Sequence, residues 1–214
     1  MPQPEDVPPL VAILRGVRSE EVLGIATVLQ EAGISGIEVP LNSPDPLASI
    51  ARLCETFGDR CLCGAGTVLS VADVEDVCAA GGRLIVTPNT DPAVIERAVA
   101  LNLTVIPGFA TATEAFSAIR AGARALKLFP AGTYGPGHLK AIRDVLPKSV
   151  QVLAVGGVGA ANLVPWVEAG AAGAGVGGEL YRAGDSPEAV GRRARLLVDA
   201  WRAAVAARAG TQRT

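Results

Sequence analysis

Lys127 is the residue of this chain whose sequence environment most clearly indicates a chemical role. It lies in an otherwise apolar run, Ala125-Leu126-Lys127-Leu128-Phe129-Pro130, which is typical of a buried strand. Lysine is almost never fully buried unless it is paired or functional. Burial disfavours the ammonium form, lowers the pKa and leaves a nucleophilic amine that can form a Schiff base with a carbonyl compound. The sequence therefore predicts that Lys127 is a nucleophile.

Two more charged residues stand in apolar runs of the same kind, namely Arg15 and Glu38. Side chains alternate between the two faces of a strand. The apolar neighbours of Glu38 and Lys127 occupy one face, so the charged side chains lie on the other. Leu14 directs Arg15 to that same face or to its rim. We therefore expect an arginine, a glutamate and a lysine to converge on one side of a sheet.

A convergence of buried charges has two interpretations. Buried charges are generally paired, so Glu38 and Lys127 could form an ion pair that only supports the scaffold. Buried ion pairs often contribute little net stability, however. Three charges at one place therefore favour a functional site.

The elements that must position these residues recur at a regular interval. Eight short apolar runs begin 20 to 27 residues apart, with helix-like segments between them. Continuous apolar strands that alternate with helices indicate a parallel sheet. The predicted strands are 11–15, 36–41, 61–67, 84–89, 104–108, 125–130, 152–157 and 173–178. Helix starts are predicted near Ser19, Ser70, Asp91 and either Thr111 or Thr113.

Eight such units in 214 residues predict a (β/α)₈ TIM barrel at the small end of its size range. The alternative is an open doubly wound sheet, which would usually use fewer strands. No linker interrupts the chain, so we expect residues 1–214 to form a single domain. Residues 1–9 are predicted to be an N-terminal arm or a short covering helix, and residues 208–214 a frayed tail. Barrel active sites lie at the carboxyl end of the strands, where Arg15, Glu38 and Lys127 would meet.

Paired glycines follow the last two predicted strands, at Gly156-Gly157 and Gly177-Gly178. Glycine lets backbone N–H groups approach an anion closely, and the corresponding loops are the recurrent phosphate site of this fold. Residues 179–182 are predicted to form the short helix behind that site. Tight turns also use glycine, so turn geometry remains an alternative explanation for each pair.

Composition excludes several classes of function. A net charge of −2 and a pI near 5.5 argue against a general binder of nucleic acids or anionic membranes. The N-terminus lacks the basic and apolar regions of a signal peptide, so we expect a cytoplasmic protein. The four cysteines are interpreted as reduced, mostly buried thiols. With a single histidine and no carboxylate cluster of suitable spacing, neither a metal nor an organic cofactor is expected.

Several segments in order carry a resemblance to a known family. The chain resembles the class I aldolases that cleave 2-keto-3-deoxy-6-phospho sugar acids, from about Leu10 to Gly184. The segments that carry it are Ile13-Leu14-Arg15-Gly16, Ile37-Glu38-Val39-Pro40-Leu41-Asn42-Ser43-Pro44, Gly64-Ala65-Gly66-Thr67-Val68-Leu69, Val86-Thr87-Pro88-Asn89, Pro107-Gly108-Phe109-Ala110-Thr111-Ala112-Thr113-Glu114-Ala115, Leu126-Lys127-Leu128-Phe129-Pro130 and Ala154-Val155-Gly156-Gly157-Val158.

The resemblance implies roles for ten residues. It implies Lys127 as the Schiff-base lysine and Glu38 as the general acid and base. The other eight would bind substrate: Arg15 and Thr67 at the pyruvyl carboxylate, Pro88 and Phe129 beside the lysine, and Gly156, Gly157, Gly177 and Gly178 at the phosphate. It also implies a homotrimer whose small-molecule partners are a phosphorylated keto-deoxy sugar acid, pyruvate and glyceraldehyde 3-phosphate.

One detail indicates the type of family member that the chain resembles, and another is a departure from its relatives. Gluconate-type members usually carry Thr-Leu-Arg-Thr after the glutamate, whereas this chain has Pro40-Leu41-Asn42-Ser43 and an arginine at Arg15, the galactonate-type arrangement. The chain departs from its relatives at Gly178-Glu179, where Gly-Ser is common, so a serine hydroxyl to the phosphate is missing.

Two other functions fit part of the pattern. A sugar-phosphate isomerase or epimerase would use Glu38 and the glycine loops equally well, but it would not need an apolar environment around Lys127. A non-catalytic phosphometabolite-binding barrel would bind its ligand and release no pyruvate. Trapping of a Schiff base distinguishes both from an aldolase.

Overall fold

Nine short parallel strands form the centre of the molecule, which the computed structural model describes for residues 7–211. They are β1 (Leu10–Ile13), β2 (Gly36–Pro40), β3 (Leu62–Gly66), β4 (Leu84–Val86), β5 (Thr104–Ile106), β6 (Gly108–Phe109), β7 (Ala125–Leu128), β8 (Gln151–Val155) and β9 (Gly173–Val176). Their order in the sheet is β5-β4-β3-β2-β1-β9-β8-β7-β6. The sheet curls into a nearly closed barrel, as the sequence predicts.

The ninth strand results from a break in the fifth predicted strand. Residues 104–108 are not continuous, because Pro107 separates β5 from β6. β5 pairs with β4, and β6 pairs with β7. Proline has no backbone N–H to donate to a ladder, but the Pro107 carbonyl still accepts from Lys127 N at 2.8 Å. The interrupted strand thus changes partners at Pro107 and joins the two ends of the barrel sheet.

Within residues 7–211, eight α-helices surround the strands. They are α1 (Val22–Ala32), α2 (Pro46–Phe57), α3 (Val71–Ala79), α4 (Pro92–Ala100), α5 (Ala112–Arg120), α6 (Ala131–Arg143), α7 (Leu163–Glu168) and α8 (Pro187–Thr211). Ser70 and Thr111 form capping boxes with Asp73 and Glu114, and Asp91 caps a helix with Pro92 in its first turn. These caps satisfy N–H groups that the first turn leaves unpaired. Of the two threonines predicted to start α5, it is Thr111 that does so.

Two apolar layers hold the barrel together, and they explain which side chains point inward. The larger layer lies between strands and helices and contains Leu14, Val39 and Leu126. The smaller layer fills the barrel interior and contains Val11, Val86 and Leu153 among others. Because faces alternate along a strand, the neighbours of outward Val39 and Leu126 point inward. Glu38 and Lys127 therefore lie inside the barrel, as their sequence pattern predicts.

The structure describes part of the predicted N-terminal arm and part of the predicted C-terminal tail. Residues 1–6 of the predicted arm and 212–214 of the predicted tail lie outside the described residues. Val7 is buried in the interior layer at the amino end of the barrel. Helix α8 continues to Thr211, and Arg208 Nη1 donates to Val167 O at 2.9 Å, so the first part of the predicted tail is helical. Among residues 7–211, no helix has the length and apolar character needed to cross a membrane.

Candidate active site

Lys127 projects from the middle of β7 into the barrel and is only 6% exposed. Burial lowers the pKa of its amine; the charge of Glu38 opposes that shift, and the charge of Arg15 adds to it. Its Nζ lies 5.0 Å from the centre of the Phe129 ring. Across the ladder, its partner is Gly108, which has no side chain to crowd the amine. Lys127 is thus held in the environment that favours a neutral, nucleophilic amine.

Glu38 projects into the same interior from β2 and is 3% exposed. Burial raises the pKa of its carboxyl to about 7, while the charges of Lys127 and Arg15 act in the opposite direction. A group that titrates near neutral pH is well suited to both accept and return a proton. The position of Glu38 therefore supports general acid and base chemistry.

The two groups share a small interior cavity that is otherwise apolar. Its remaining lining is Val11, Ile13, Val86, Ile106, Leu153, Val155 and Gly175. In the described part of the chain, no ion pair within 4.0 Å links Glu38 to Lys127. The scaffold interpretation requires such a close pair, so this arrangement favours the functional one.

Gly66, at the end of β3, makes the position of Glu38 possible. A Cβ atom at residue 66 would lie 1.2 Å from Glu38 Oε2, so the carboxylate occupies the space that any other residue would fill. Gly66 does not have a positive φ, so its role is to allow this close approach rather than an unusual backbone conformation. The sequence motif contains this glycine, but its reason is visible only in the packing of β3 against β2.

Replacing Gly66 by alanine should therefore displace the Glu38 carboxylate. We expect the free energy of unfolding to fall by about 1–3 kcal/mol, as is typical of overpacking, and the kcat of any Glu38-dependent reaction to fall with it. Gly137→Ala in α6 is the matched control, because a Cβ there contacts nothing within 4 Å. Urea denaturation of both variants measures the difference. A Gly66→Ala variant as stable and active as Gly137→Ala would contradict this account.

Arg15 lies at the rim of the barrel rather than on a strand. The prediction that its strand extends to residue 15 is wrong, since β1 ends at Ile13 and Arg15 is exposed. Its Nη2 donates to Thr67 Oγ1 at 3.4 Å, and its Nη1 donates to the side-chain oxygen of Asn42. Thr67 follows β3 with a φ of 57°. The guanidinium is thus oriented by two neighbouring loops at the mouth.

Asn42 is a site residue that reasoning from strand patterns missed. It lies in the loop after β2, and only its place in the segment Pro40-Leu41-Asn42-Ser43 gave a signal. Next to it, the buried hydroxyl Ser43 Oγ accepts from Gly16 N at 3.0 Å. The two loops that carry Arg15 and Asn42 are thereby joined by side-chain contacts as well as by the ladder of β1 and β2.

Pro88 and Phe129 lie on either side of β6, close to the lysine. Pro88 follows β4 and is half-buried, and its carbonyl oxygen would be 2.3 Å from a Cβ on Gly108. Phe129 follows β7, packs against the interior layer and is half-buried. Phe129 is therefore adjacent to Lys127, and Pro88 is adjacent to Gly108, which pairs with Lys127.

The predicted glycine loops follow β8 and β9, which are neighbours in the sheet. Gly156 and Gly157 have φ values of 94° and 74°, a region that favours glycine. Gly178 is exposed at the mouth. Residues 179–182 do not form the predicted helix: a turn covers residues 178–180, with Leu180 N and Tyr181 N both donating to Gly177 O.

Metal chemistry finds no support in the side chains. Across residues 7–211, no group of three or more His, Cys, Asp or Glu side chains is arranged to hold a metal ion. The cysteines there are free thiols, two of them buried. The charged side chains that the structure brings to the site are an amine, a carboxyl and a guanidinium.

Comparison with known proteins gives a consistent answer. The family model for KDPG and KHG aldolase matches residues 6–189. The chain is 49% identical to the 2-dehydro-3-deoxy-6-phosphogalactonate aldolase of Escherichia coli strain K12, covering 92% of this chain and 96% of that one. It is 31% identical to the 2-dehydro-3-deoxy-phosphogluconate aldolase of Treponema pallidum strain Nichols, covering 70% and 71%.

A solved structure supports the same relationship. The native KDPGal structure superposes with a TM-score of 0.92 at 48% sequence identity, covering 95% of this chain and 98% of that one. The sequence and the backbone both match these relatives over most of the chain, and the matched part includes every strand that carries the candidate site. The chain belongs to the KDPG and KHG aldolase family.

Proposed function

We propose that this protein is a class I aldolase that cleaves 2-dehydro-3-deoxy-6-phosphogalactonate to pyruvate and D-glyceraldehyde 3-phosphate. Membership of the family makes it a lyase of the pyruvate-dependent aldolase type. The observation that carries the mechanism is the buried Lys127 amine with a lowered pKa, in one cavity with the Glu38 carboxyl.

The reaction begins with attack of the neutral Lys127 Nζ on the C2 ketone of the substrate. Loss of water from the carbinolamine gives an iminium ion, which is an electron sink. Glu38 removes the proton of the C4 hydroxyl as the C3–C4 bond breaks. The bonding electrons pass into the iminium, so glyceraldehyde 3-phosphate leaves and an enamine of pyruvate remains on the lysine.

The second half returns the enzyme to its starting state. Glu38, now protonated, delivers its proton to C3 of the enamine, and the resulting iminium is hydrolysed by water. Pyruvate leaves and the Lys127 amine is free again. A carboxyl whose pKa is about 7 can serve in both directions near neutral pH. No organic or metal cofactor takes part in this scheme.

Binding of the two ends of the substrate is assigned to the rim. Arg15 holds the C1 carboxylate, which a guanidinium recognises in bidentate fashion, and Thr67 assists from the next loop. Pro88 and Phe129 line the space around the ketone. The loops that contain Gly156, Gly157, Gly177 and Gly178 receive the phosphate group.

The galactonate substrate is proposed over its gluconate epimer for two reasons. The chain is more similar to the named galactonate enzyme than to the named gluconate enzyme, at 49% against 31% identity. In addition, Arg15 is oriented by Asn42, in the loop that differs between the two types. The ratio of kcat/KM for the two 6-phosphates, measured as pyruvate release, tests this preference.

A homotrimer and a cytoplasmic location complete the proposal, with the phosphorylated sugar acid and its two products as small-molecule partners. No role with nucleic acid or membrane is proposed. Sedimentation equilibrium of the purified protein measures the assembly, and a mass other than three chains would contradict the trimer.

Borohydride trapping with pyruvate tests the central step. Reduction of the iminium should fix a pyruvate-derived mass on the peptide that contains Lys127. The two exposed lysines, Lys140 and Lys148, serve as internal controls and should remain unmodified. An adduct on another peptide would overturn the assignment to Lys127, and absence of any adduct would instead fit an isomerase or a binding protein.

A further inference from the structure

Two loops at the mouth of the barrel present backbone N–H groups with no partner. They are Gly156-Gly157-Val158 after β8 and Gly177-Gly178-Glu179 after β9. Within residues 7–211, the N–H groups that donate to no protein acceptor include Gly157, Val158, Gly178 and Glu179. Loops of this kind can bind an anion only if these groups are held in one direction.

The first loop is held by its carbonyl groups. Gly132 N donates to Gly156 O at 2.8 Å. The side chain of Asn162 makes two bonds, since its Nδ2 donates to Gly157 O at 2.8 Å and its Oδ1 accepts from Gly159 N at 2.9 Å. Asn162 thereby holds the residues on both sides of Val158, Gly157 and Gly159.

The second loop is held in the same manner. Leu180 N donates to Gly177 O at 2.7 Å, as part of the turn that follows β9. Arg182 Nε donates to Gly178 O at 2.9 Å. In the described residues the Arg182 guanidinium forms no ion pair within 4.0 Å, and it makes this hydrogen bond to the Gly178 carbonyl.

Peptide geometry turns these contacts into a direction. In a planar trans peptide the C=O of one residue and the N–H of the next point in opposite directions. A carbonyl held from behind the loop therefore aims the following N–H away from that anchor. The four held carbonyls precede the four unpartnered N–H groups, which belong to Gly157, Val158, Gly178 and Glu179.

We infer that Asn162 and Arg182 are positioning residues, which aim the amides of the two loops at the substrate phosphate by holding the carbonyls of Gly157 and Gly178. This inference rests on the proposed function, because it requires a phosphorylated substrate at these loops. Arg182 acts here through its Nε donor, and its charge is not required. Neither side chain needs to touch the phosphate.

The test compares two aldehydes in the direction of aldol formation from pyruvate, glyceraldehyde 3-phosphate and unphosphorylated glyceraldehyde. Loss of a hydrogen bond that orients an amide should raise the KM for the phosphorylated aldehyde by about 3- to 10-fold. Asn162→Ala and Arg182→Ala should both show this effect. The kcat/KM with glyceraldehyde, and borohydride trapping of pyruvate on Lys127, should stay within about 2-fold of wild type because hydrogen bonds in the lysine cavity are unchanged.

Arg182→Gln separates position from charge. The Nε2 atom of glutamine stands at the same place along the side chain as Nε of arginine, so it keeps a donor for Gly178 O without the charge. We expect Arg182→Gln to retain a KM within about 2-fold of wild type, since the orienting hydrogen bond remains. Arg192→Ala, at an exposed position of α8, removes one positive charge as a matched control and should leave both aldehydes unaffected.

Three outcomes would overturn the inference. They are equal losses with both aldehydes, an unchanged KM for the phosphorylated aldehyde in the two alanine variants, or a glutamine variant as impaired as Arg182→Ala. A wild-type protein that forms no aldol from pyruvate with either aldehyde would overturn the proposed function instead. The two failures are therefore distinguishable in one set of assays.

Discussion

Lys127→Met should abolish pyruvate release from the 6-phosphogalactonate substrate, with kcat lower by on the order of 10⁴- to 10⁶-fold, the range seen when a nucleophile is removed. Without the amine no iminium forms, and the C3–C4 electrons have no acceptor. Methionine has similar length and is apolar, so the barrel interior that encloses residue 127 accepts it. Single-turnover assays of pyruvate formation, together with borohydride trapping, measure the loss.

Stability and a matched lysine variant complete this experiment. Replacing a buried amine by an apolar side chain of similar volume removes the cost of burying a polar group, so Lys127→Met should unfold at a urea concentration no lower than wild type. Lys140→Met, at an exposed position of α6, should keep full activity and full trapping. Residual pyruvate release by Lys127→Met at even a hundredth of the wild-type rate would argue against a Schiff base at this residue.

Glu38→Gln should lower kcat for cleavage by about 10²- to 10⁴-fold, the usual contribution of a general acid or base. The amide fits the space left by Gly66 but cannot accept the C4 hydroxyl proton. The variant should still bind substrate and still form a trapped adduct with pyruvate, because Lys127 is unchanged. Near wild-type turnover would remove Glu38 from its proposed role, and Glu31→Gln on the exposed side of α1 controls for loss of a carboxylate elsewhere.

The pH dependence of the wild type should report the same group. Glu38 must be ionised to accept the proton in cleavage, and its pKa is raised to about 7. The kcat/KM for cleavage should therefore rise as pH increases through about 7. Lys127 must also be neutral, so loss of its ammonium proton raises kcat/KM with pH as well, and this second requirement remains in a Glu38 variant. In Glu38→Gln the rise near pH 7 should disappear, and a profile that keeps it would assign it to another group.

Much of the fold followed from local sequence pattern. The eight predicted strands overlap all nine observed ones. A continuous apolar run bounded by turn residues is typical of a strand that is buried on both faces, and this pattern is local to the run. The helix starts at Ser70, Asp91 and Thr111 are also predictable, because an N-cap depends only on residues within three or four positions along the chain. The break at Pro107 was not predicted, because a strand that changes partners is defined by the strands on either side.

The candidate site was predictable to the extent that it depends on alternation. Glu38 and Lys127 each sit between apolar neighbours, so their inward direction was determined by their own strands. The predicted first strand extends two residues too far, to Arg15 instead of Ile13, and residues 179–182 do not form the predicted helix. Both errors occur where a strand ends, because the end depends on contacts with other loops rather than on the local pattern.

By itself, the sequence determined a parallel barrel, one amine and one carboxyl inside it, and glycines at the ends of two strands. Tertiary structure alone decided how these parts meet: that Gly66 leaves room for the Glu38 carboxylate, that Asn42 orients Arg15, and that Asn162 and Arg182 hold the glycine carbonyls. The physical reason is range. Periodicity and capping act over a few residues of the chain, whereas desolvation of a charge and the aim of an amide depend on atoms brought together from distant segments.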